Sequence, residues 1–130
     1  TSKKEVISKS HICSQCNMPI SKTHKEYTAV LSKQNSEEYF DDPGCMILWI
    51  KQNNTDINEV DLKVYSNDTS KYIDAKKAFY AFDELTPMNY GFGAYKNRAK
   101  NLIDFNEMRL RMLRGEHIAN PKIRKQILGY

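Results

Sequence analysis

Eight side chains of this 130-residue sequence carry sulfur, three cysteines and five methionines, and each is a soft donor for metal ions. Cys13 and Cys16 form a Cys-x-x-Cys motif, and Met18 follows two residues later. The two intervening residues bring both thiols to one side of a turn, where they can share a metal ion or form a disulfide. Because thiolate and thioether sulfur together select Cu(I), and a thioether adds little to zinc affinity, Cys16 and Met18 favour a copper site.

A structural zinc site is a second interpretation of the same motif. Structural zinc usually takes four nitrogen or sulfur ligands, commonly from a second Cys-x-x-Cys or a pair of histidines. The third cysteine, Cys45, stands alone in the sequence, so a four-ligand site would have to recruit His11 or His24. A structural zinc site in an interaction module therefore remains an alternative.

A thiol–disulfide redox pair is the third interpretation. Such a pair normally lies at the start of a helix in a βαβ unit, where the pKa of the first thiol is lowered. Pro19 and the polar residues after it break any such helix, which weakens this alternative without excluding it. Burial of the pair as inert core thiols is the least favoured interpretation, because the neighbouring residues are polar. We therefore expect Cys13 and Cys16 in an exposed loop.

The other sulfur-bearing residues divide by their surroundings. Met88 lies in a loop rich in proline and glycine, which makes it a candidate thioether ligand. Met108 and Met112 are four residues apart in a helical pattern, so we expect them in the core. Cys45 and Met46 lie in an apolar helix. We expect Cys45 to be a buried free thiol, whereas Met46 could be either a ligand or a core residue.

Signatures of enzymes and of nucleic-acid-binding proteins are missing from the sequence. It has no Gly-x-Ser-x-Gly, no His-Glu-x-x-His and no glycine-rich phosphate loop, and helix capping explains the Asp41–Asp42 pair. The net charge of +4 is concentrated in residues 96–130, which hold nine Lys/Arg against three Asp/Glu. That pattern is typical of a solvated helical face. We therefore expect neither an enzyme nor a nucleic-acid-binding protein.

The composition, with 40% hydrophobic and 28% charged residues, is typical of a globular protein. No apolar run approaches the roughly 18 residues needed to cross a bilayer. A weak internal repeat is visible, because Phe-Asp-Asp-Pro-Gly-Cys-Met at 40–46 and Asp-Phe-Asn-Glu-Met at 104–108 each open a helix after a loop that contains methionine. Two similar units of this size would each have a marginal core, so we expect them to pack together.

Periodicity and capping signals predict the elements that position these residues. Residues 27–31 and 38–40 indicate the two strands of a hairpin. Asp42 is expected to cap a helix that begins at Pro43, where a proline needs no hydrogen-bond partner, and ends near Gln52. The further predictions are strands over 60–65, 78–82 and 103–105, a loop over 86–93, and helices over 94–101, 107–114 (capped by Asn106) and 121–128 (capped by Asn120).

Four short motifs in this order resemble the NosL family, the accessory proteins of nitrous oxide reductase. They are Cys-x-x-Cys-x-Met-Pro-Ile at 13–20, Tyr-Phe-Asp-Asp-Pro-Gly-Cys-Met at 39–46, Ile-Asp-Ala-x-x-Ala at 73–78 and Thr-Pro-Met-x-x-Gly-x-Gly-Ala-Tyr at 86–95. The resemblance runs from about residue 11 to residue 115, which is most of the chain.

The resemblance implies a Cu(I)-binding metallochaperone, usually a lipoprotein on the periplasmic side, that delivers copper to an enzyme of denitrification. It also implies an α+β fold of two small related ββαβ-like units packed together. On this sequence the first unit spans residues 11–55 with the Cys-x-x-Cys-x-Met loop, the second spans 59–115 with the Pro-Met loop, and a C-terminal helix follows over 116–130. We expect a periplasmic or membrane-anchored location, with the signal or anchor outside this chain.

Carried over by position, the copper ligands that the resemblance implies are Cys16, Met18 and Met88, with Cys13 or His24 to complete or replace them. The expected partners are the copper ion and a copper-accepting enzyme such as nitrous oxide reductase. The expected mechanism is ligand exchange without net redox chemistry. Cys13 and the basic C-terminal extension depart from the family's pattern, so a general copper handler or a thiol–disulfide redox variant also fits.

Overall fold

The computed structural model describes residues 11–20 and 25–130, and within them it contains seven strands and three α-helices. Two short 3-10 helices, Ile57–Glu59 and Ala75–Lys77, connect some of them. In chain order the elements are β1 (Ala29–Lys33), β2 (Ser36–Phe40), α1 (Pro43–Gln52), β3 (Asp61–Ser66), β4 (Lys71–Asp74), β5 (Phe79–Ala81), β6 (Gly93–Tyr95), β7 (Ile103–Asp104), α2 (Phe105–Arg114) and α3 (Pro121–Leu128).

All seven strands join one sheet in the order β2-β1-β3-β6-β5-β7, with β4 paired to β3. The predicted hairpin is confirmed, because β1 and β2 pair antiparallel with Ala29 opposite Phe40. Only the pairing of β3 with β6 is parallel, with Ser66 opposite Ala94. The sheet, the helices packed on it and the C-terminal helix confirm the predicted α+β class. Strands from both predicted units contribute to this one sheet, and the division at residues 55–59 stays a prediction.

Helix α1 begins and ends where its sequence predicts. The Asp42 side chain accepts a hydrogen bond from the backbone N–H of Gly44, and Pro43 occupies the first helical position. The helix continues to Gln52, and Asn53 caps its C-terminal end. Most of its residues are buried, which explains the apolar run over 45–50.

The core lies between the sheet and helices α1 and α2, which also pack against each other. Met108 and Met112 are buried on α2, as predicted, and Met46 is buried on α1. These three methionines therefore fill the core. The largest fully buried side chains among the described residues include Phe40, Tyr80 and Phe92.

The predicted helix over residues 94–101 is wrong. Ala94 is fully buried in β6, which pairs with β5 and β3, and turns follow it. The Asp68 carboxylate accepts hydrogen bonds from the backbone N–H groups of Lys96 (2.9 Å) and Asn97 (3.0 Å). These amides are therefore held by a side chain on the β3–β4 turn, and tertiary contacts override the local helix preference.

The cap predicted for α2 is also wrong by two residues. Asp104 caps the helix, because its carboxylate accepts from the backbone N–H of Glu107 at 2.8 Å, and the helix begins at Phe105 instead of after Asn106. The end at Gly115 is as predicted, with φ of 76°. Within residues 11–20 and 25–130, no helix combines the length and apolar character that crossing a bilayer requires.

Candidate metal centre

The first cysteine pair lies on a tight turn that we call the CxxC loop, residues 11–20. Ile12 and Pro19 form an antiparallel bridge at its base. Within the turn, the Cys13 N–H donates to the Met18 carbonyl and the Asn17 N–H donates to the Cys13 carbonyl, each at 2.9 Å. Asn17 adopts the left-handed conformation with φ of 66°, which asparagine tolerates better than most residues. The loop thus has a defined hydrogen-bonded conformation.

Contacts with β2 hold the CxxC loop against the sheet. The backbone N–H of Ser14 donates to the Tyr39 carbonyl at 2.8 Å, and its hydroxyl donates to the Glu38 carboxylate at 2.6 Å. The His11 ring stacks on the Tyr39 ring with centroids 3.7 Å apart. The loop is therefore placed beside the end of β2, where the chain turns into α1.

Four side chains converge at that point. The sulfurs of Cys13, Cys16 and Cys45 and a carboxylate oxygen of Asp41 all lie within 4.8 Å of one another. We call these four residues the Cys3Asp cluster. Asp41 comes from the β2–α1 junction and Cys45 from the first turn of α1, and all three cysteines are free thiols. Cys13 and Cys45 are 0% exposed and Asp41 is 6% exposed, whereas Cys16 is half-buried.

Hydrogen bonds organise the cluster. The Cys16 sulfur lies 3.5 Å from both oxygens of Asp41, and the Cys45 sulfur lies 3.6 Å from one of them. The backbone N–H of Cys16 points at the Cys13 sulfur at 3.5 Å. Cys13 thus accepts from the backbone, and the Cys16 thiol can donate to Asp41. The Cys45 thiol has one proton, which it can donate either to Asp41 or to Cys13.

The pKa values of the three thiols are shifted in different directions by their surroundings. A hydrogen bond from the Cys45 thiol, with backbone N–H groups that include that of Cys16, outweighs burial and lowers the pKa of Cys13 to about 4. The same hydrogen bond, together with burial, raises the pKa of Cys45. Burial raises the pKa of Cys16 to about 12, with the charges of Asp41 and Cys13 adding to it. Near neutral pH the cluster therefore holds one thiolate and two thiols.

Asp41 shares in this coupling. Burial, followed by the negative charge of Cys13, raises the pKa of Asp41 from its usual value to about 6. The Asp41 carboxyl is therefore close to half-protonated in mildly acidic solution, and ionised above that range.

The donor set suits a thiophilic ion. Three thiolates select Cu(I) or zinc, and a carboxylate oxygen can serve as a fourth ligand to zinc. Three sulfurs bound to one zinc ion at about 2.3 Å lie roughly 3.7 to 4.0 Å apart, in tetrahedral or trigonal geometry. The ligand atoms of the cluster lie within 4.8 Å of one another, so no pair exceeds that spacing by more than about 1 Å. Side-chain shifts of that size would bring all three sulfurs onto one ion.

A second loop joins the site through Asp42, which is fully buried. One Asp42 oxygen caps α1. The other accepts from the Thr86 hydroxyl at 2.6 Å and from the Met88 N–H at 3.0 Å. The loop over residues 84–91, which we call the Met88 loop, is thereby attached to the same helix end as the cluster. Burial raises the pKa of Asp42 to about 6 against the effect of these hydrogen bonds.

Tyr90 packs on the start of α1, against the residue that precedes Cys45. Its ring lies so close to Gly44 that a Cβ added there would lie 2.5 Å from a ring carbon. Burial, followed by the charges of Cys45 and Asp42, raises the pKa of Tyr90 to about 12. On its other side the ring meets His117 edge-on, with centroids 4.9 Å apart.

A cleft of about 410 Å³ opens beside the cluster. Asp41 lines the cleft together with residues from both loops, including Met18, Pro19, Leu85 and Pro87. Met18 is 49% exposed and Leu85 69% exposed, so the rim is apolar and open to solvent. The Asp41 side of the cluster is the side that this cleft reaches.

The structure brings together part of the predicted ligand set. Cys13 and Cys16 are in the cluster. Met18 lies on the cleft rim, and Met88 is half-buried against the core on the adjoining loop. The ligand roles of these two methionines stay predictions, and His24 lies outside the described residues.

The expectation that both thiols of the motif are exposed is wrong for Cys13. The turn directs Cys13 into the core, while Ser14 and Gln15 point outward to Glu38 and Gln52. The polar neighbours therefore gave a wrong prediction for this side chain, because the turn directs Cys13 inward and the next two side chains outward.

Sequence reasoning also missed Asp41 and Cys45 as members of the site. The prediction that Cys45 is a buried free thiol is confirmed, but it is buried against other thiols. A usable signal was present, because Asp41 and Cys45 are four residues apart across a predicted helix start, a spacing that brings two side chains together. The position of the CxxC loop over that helix start could not be read from the chain.

Comparison with known proteins identifies a solved structure with a similar fold. No protein-family model matches this chain, and no curated protein matches it. Among solved structures, the copper chaperone NosL from Shewanella denitrificans matches with a TM-score of 0.59 and 16% sequence identity, over 71% of this chain and 77% of that one. At this identity the match shows a shared fold, and the chain therefore has the architecture of that copper chaperone.

Proposed function

We propose that this protein is a NosL-like carrier of Cu(I). The observation that carries the proposal is the Cys3Asp cluster, in which three thiols converge within 4.8 Å at a half-buried site. Thiolate sulfur is the ligand type that Cu(I) prefers. The shared fold with a copper chaperone and the four sequence motifs support the same conclusion.

The ion is cargo in this proposal. Cys13, Cys16 and Cys45 hold Cu(I) in a low-coordinate site, and Asp41 lies beside it as a charged hydrogen-bond acceptor. Met18 and Met88, which the resemblance implies as ligands, belong to the two loops beside the cluster, and we assign them to its rim. The protein then exchanges ligands with an acceptor and performs no enzymatic reaction.

The destination of the copper follows from the resemblance. We propose delivery to nitrous oxide reductase or another copper enzyme, in the periplasm, by a protein anchored to the membrane outside this chain. The motifs quoted for the NosL family support this assignment.

A structural zinc site is the second candidate, and the cluster itself favours it. Three cysteines with one carboxylate complete the four ligands that zinc takes, without either histidine. A structural zinc ion would hold the CxxC loop to α1, and its removal would loosen that contact. The half-buried Cys16 and the cleft beside Asp41 favour exchangeable cargo over a closed structural site.

Metal titration of the reduced protein separates the two candidates. Cu(I) and Zn²⁺ are each titrated anaerobically against a chromogenic chelator, with Met18→Leu as a matched rim variant. We expect one equivalent of Cu(I) bound far more tightly than by a short Cys-x-x-Cys peptide, and unfolding midpoints that depend little on zinc. Tight zinc binding that stabilises the fold, with Cu(I) bound no better than by the peptide, would contradict the copper proposal.

A further inference from the structure

We propose that Cys16 is the exchange ligand of the cluster: an incoming soft donor replaces Cys16 first, from the cleft, while Cys13 and Cys45 hold the ion until transfer is complete. This inference rests on the proposed function, because it describes how the same site would release its cargo.

Burial distinguishes Cys16 from the other two thiols. Cys13 and Cys45 are completely inaccessible and belong to the hydrophobic core, whereas Cys16 is half-buried at its edge. An external ligand cannot reach the inner two sulfurs without opening the core. Displacement at Cys16 needs no such opening, so the exposed thiolate is the one that a partner can replace.

The inner two sulfurs are also the more firmly positioned. Cys45 lies in the first turn of α1, whose N-terminal end is fixed by the buried Asp42 cap. The backbone at Cys13 is held by its N–H bond to Met18 and by the bond that its carbonyl accepts from Asn17. Moving either sulfur would disrupt a helix start or a closed turn.

The cleft supplies the route. Both oxygens of Asp41 lie 3.5 Å from the Cys16 sulfur, and Asp41 lines the cleft wall. The Asp41 side chain thus lies between Cys16 and the cleft. Met18, on the cleft rim, places a soft thioether beside this approach.

The exchange step balances without redox chemistry. A thiol of the acceptor loses its proton and forms a sulfur–copper bond, and the bond between copper and Cys16 breaks. Cys16 leaves as a thiolate and takes up one proton, so the count of protons is unchanged and the ion stays Cu(I). The intermediate holds copper on Cys13, Cys45 and the acceptor sulfur.

Transfer kinetics test this order. The Cu(I)-loaded full chain is mixed with excess glutathione as the thiol acceptor, and the rate of transfer and the equilibrium affinity are measured for wild type, Cys16→Ser and Cys45→Ser. A bond broken in the rate-limiting step affects the rate, whereas a bond broken later affects only the equilibrium. We expect Cys16→Ser to raise the transfer rate by roughly as large a factor as it lowers the affinity.

For Cys45→Ser we expect a comparable loss of affinity with a transfer rate within about threefold of wild type, because Cys16 must still be displaced. As a measurement that needs no variant, loaded wild type is pulse-alkylated with iodoacetamide during transfer. Cys16 should be labelled while copper is still bound, and all three thiols should be protected when glutathione is left out.

The outcomes separate the inference from the proposed function. If wild type binds Cu(I) but Cys45→Ser accelerates transfer as much as Cys16→Ser does, or if all three thiols become reactive only after copper has left, the exchange role of Cys16 is overturned alone. If wild type binds no Cu(I), the proposed function and this inference both fail.

Discussion

The Cys13 side chain is fully buried, and hydrogen bonds favour its thiolate form. The Cys45 thiol and backbone N–H groups donate to it, which is why its pKa falls to about 4 in spite of burial. Burial favours the protonated form of Cys16, and the hydrogen bond to Cys13 followed by burial favours the protonated form of Cys45. The negative charges of Cys13 and Asp41 add to both effects. The metal-free site is therefore prepared for a cation, and a bound ion would replace two thiol protons.

The pH dependence of binding follows from this distribution. At neutral pH the pKa of Cys13 lies below the solution pH, and those of Cys16 and Cys45 lie above it. Coordination by three thiolates should release about two protons and raise the apparent affinity about a hundredfold per pH unit between pH 7 and 8.5 or so. Proton release is measured with an indicator dye in weakly buffered solution. Release of about one proton would instead match a site made of Cys16 with Met18 and Met88.

At this scale the sequence predicted the chemistry better than the ligand set. Cys13 and Cys16 could be identified from their spacing, since two cysteines with two residues between them on a turn must lie close together. Asp41 and Cys45 could be paired with each other but not with the motif, because the contact depends on how the CxxC loop folds back on β2. Met108 and Met112 were predicted correctly because helical periodicity determines their burial.

Among the elements, the start of α1 carries most of the site. It supplies Cys45, follows directly on Asp41, and is capped by Asp42, whose second oxygen holds the Met88 loop. One buried carboxylate therefore positions both the helix end and the adjoining loop.

Asp42→Asn tests this double role. The amide keeps one oxygen for Gly44, but its NH2 group, in place of the second oxygen, accepts from neither the Thr86 hydroxyl nor the Met88 N–H. The Met88 N–H therefore loses its acceptor. We expect the free energy of unfolding at pH 7.5 to fall by roughly 2 kcal/mol, measured by urea denaturation. The matched control is Asp74→Asn, an exposed cap whose carboxylate accepts from the Lys76 N–H, and it should cost less than about 1 kcal/mol. Equal losses in the two variants would contradict the role of Asp42.

Gly44→Ala tests the close packing of α1 on Tyr90. The added methyl group would lie 2.5 Å from a Tyr90 ring carbon and 2.9 Å from the Met112 sulfur. Although alanine favours helices, we expect a net destabilisation of about 1–3 kcal/mol from this overpacking, and weaker metal binding because the start of α1, which carries Cys45, is displaced. Lys51→Ala, an exposed position on the same helix, should change stability by less than about 0.5 kcal/mol. Stabilisation by Gly44→Ala would show that the contact is loose.

Prediction of the elements succeeded where local signals act alone and failed where they compete with the sheet. The Asp42-Pro43 signal located α1 because a cap and a first-turn proline need no distant partner. The helix predicted over residues 94–101 failed because Ala94 is buried in the sheet and a distant carboxylate, Asp68, holds the next amides. Such long-range contacts leave little trace in the local sequence.

At the scale of the whole molecule, the site lies where elements from distant parts of the chain meet. The CxxC loop, the start of α1 and the Met88 loop come together over one sheet and one continuous core. Helix α3, in contrast, has no buried residue and carries Lys122, Arg124 and Lys125. The basic end of the chain is thus separate from the core that supports the site.

Removing α3 should therefore leave the fold and the site intact. Deletion of residues 121–130 is expected to change the free energy of unfolding by less than about 1 kcal/mol, because no buried side chain is lost. The matched control is a deletion that begins at residue 116 and so removes Ile118, which is 1% exposed and packs near Gly91. That longer deletion should be clearly destabilising. Equal effects of the two deletions on urea unfolding would contradict this separation.

X-ray absorption at the copper edge would show whether three cysteine sulfurs, including that of Cys45, hold the ion. For Cu(I)-loaded wild type we predict three sulfur neighbours and no additional nitrogen ligand. The number should fall to two in Cys45→Ser and stay at three in Met88→Leu. A sulfur count that is unchanged in Cys45→Ser and reduced in Met88→Leu would contradict the account.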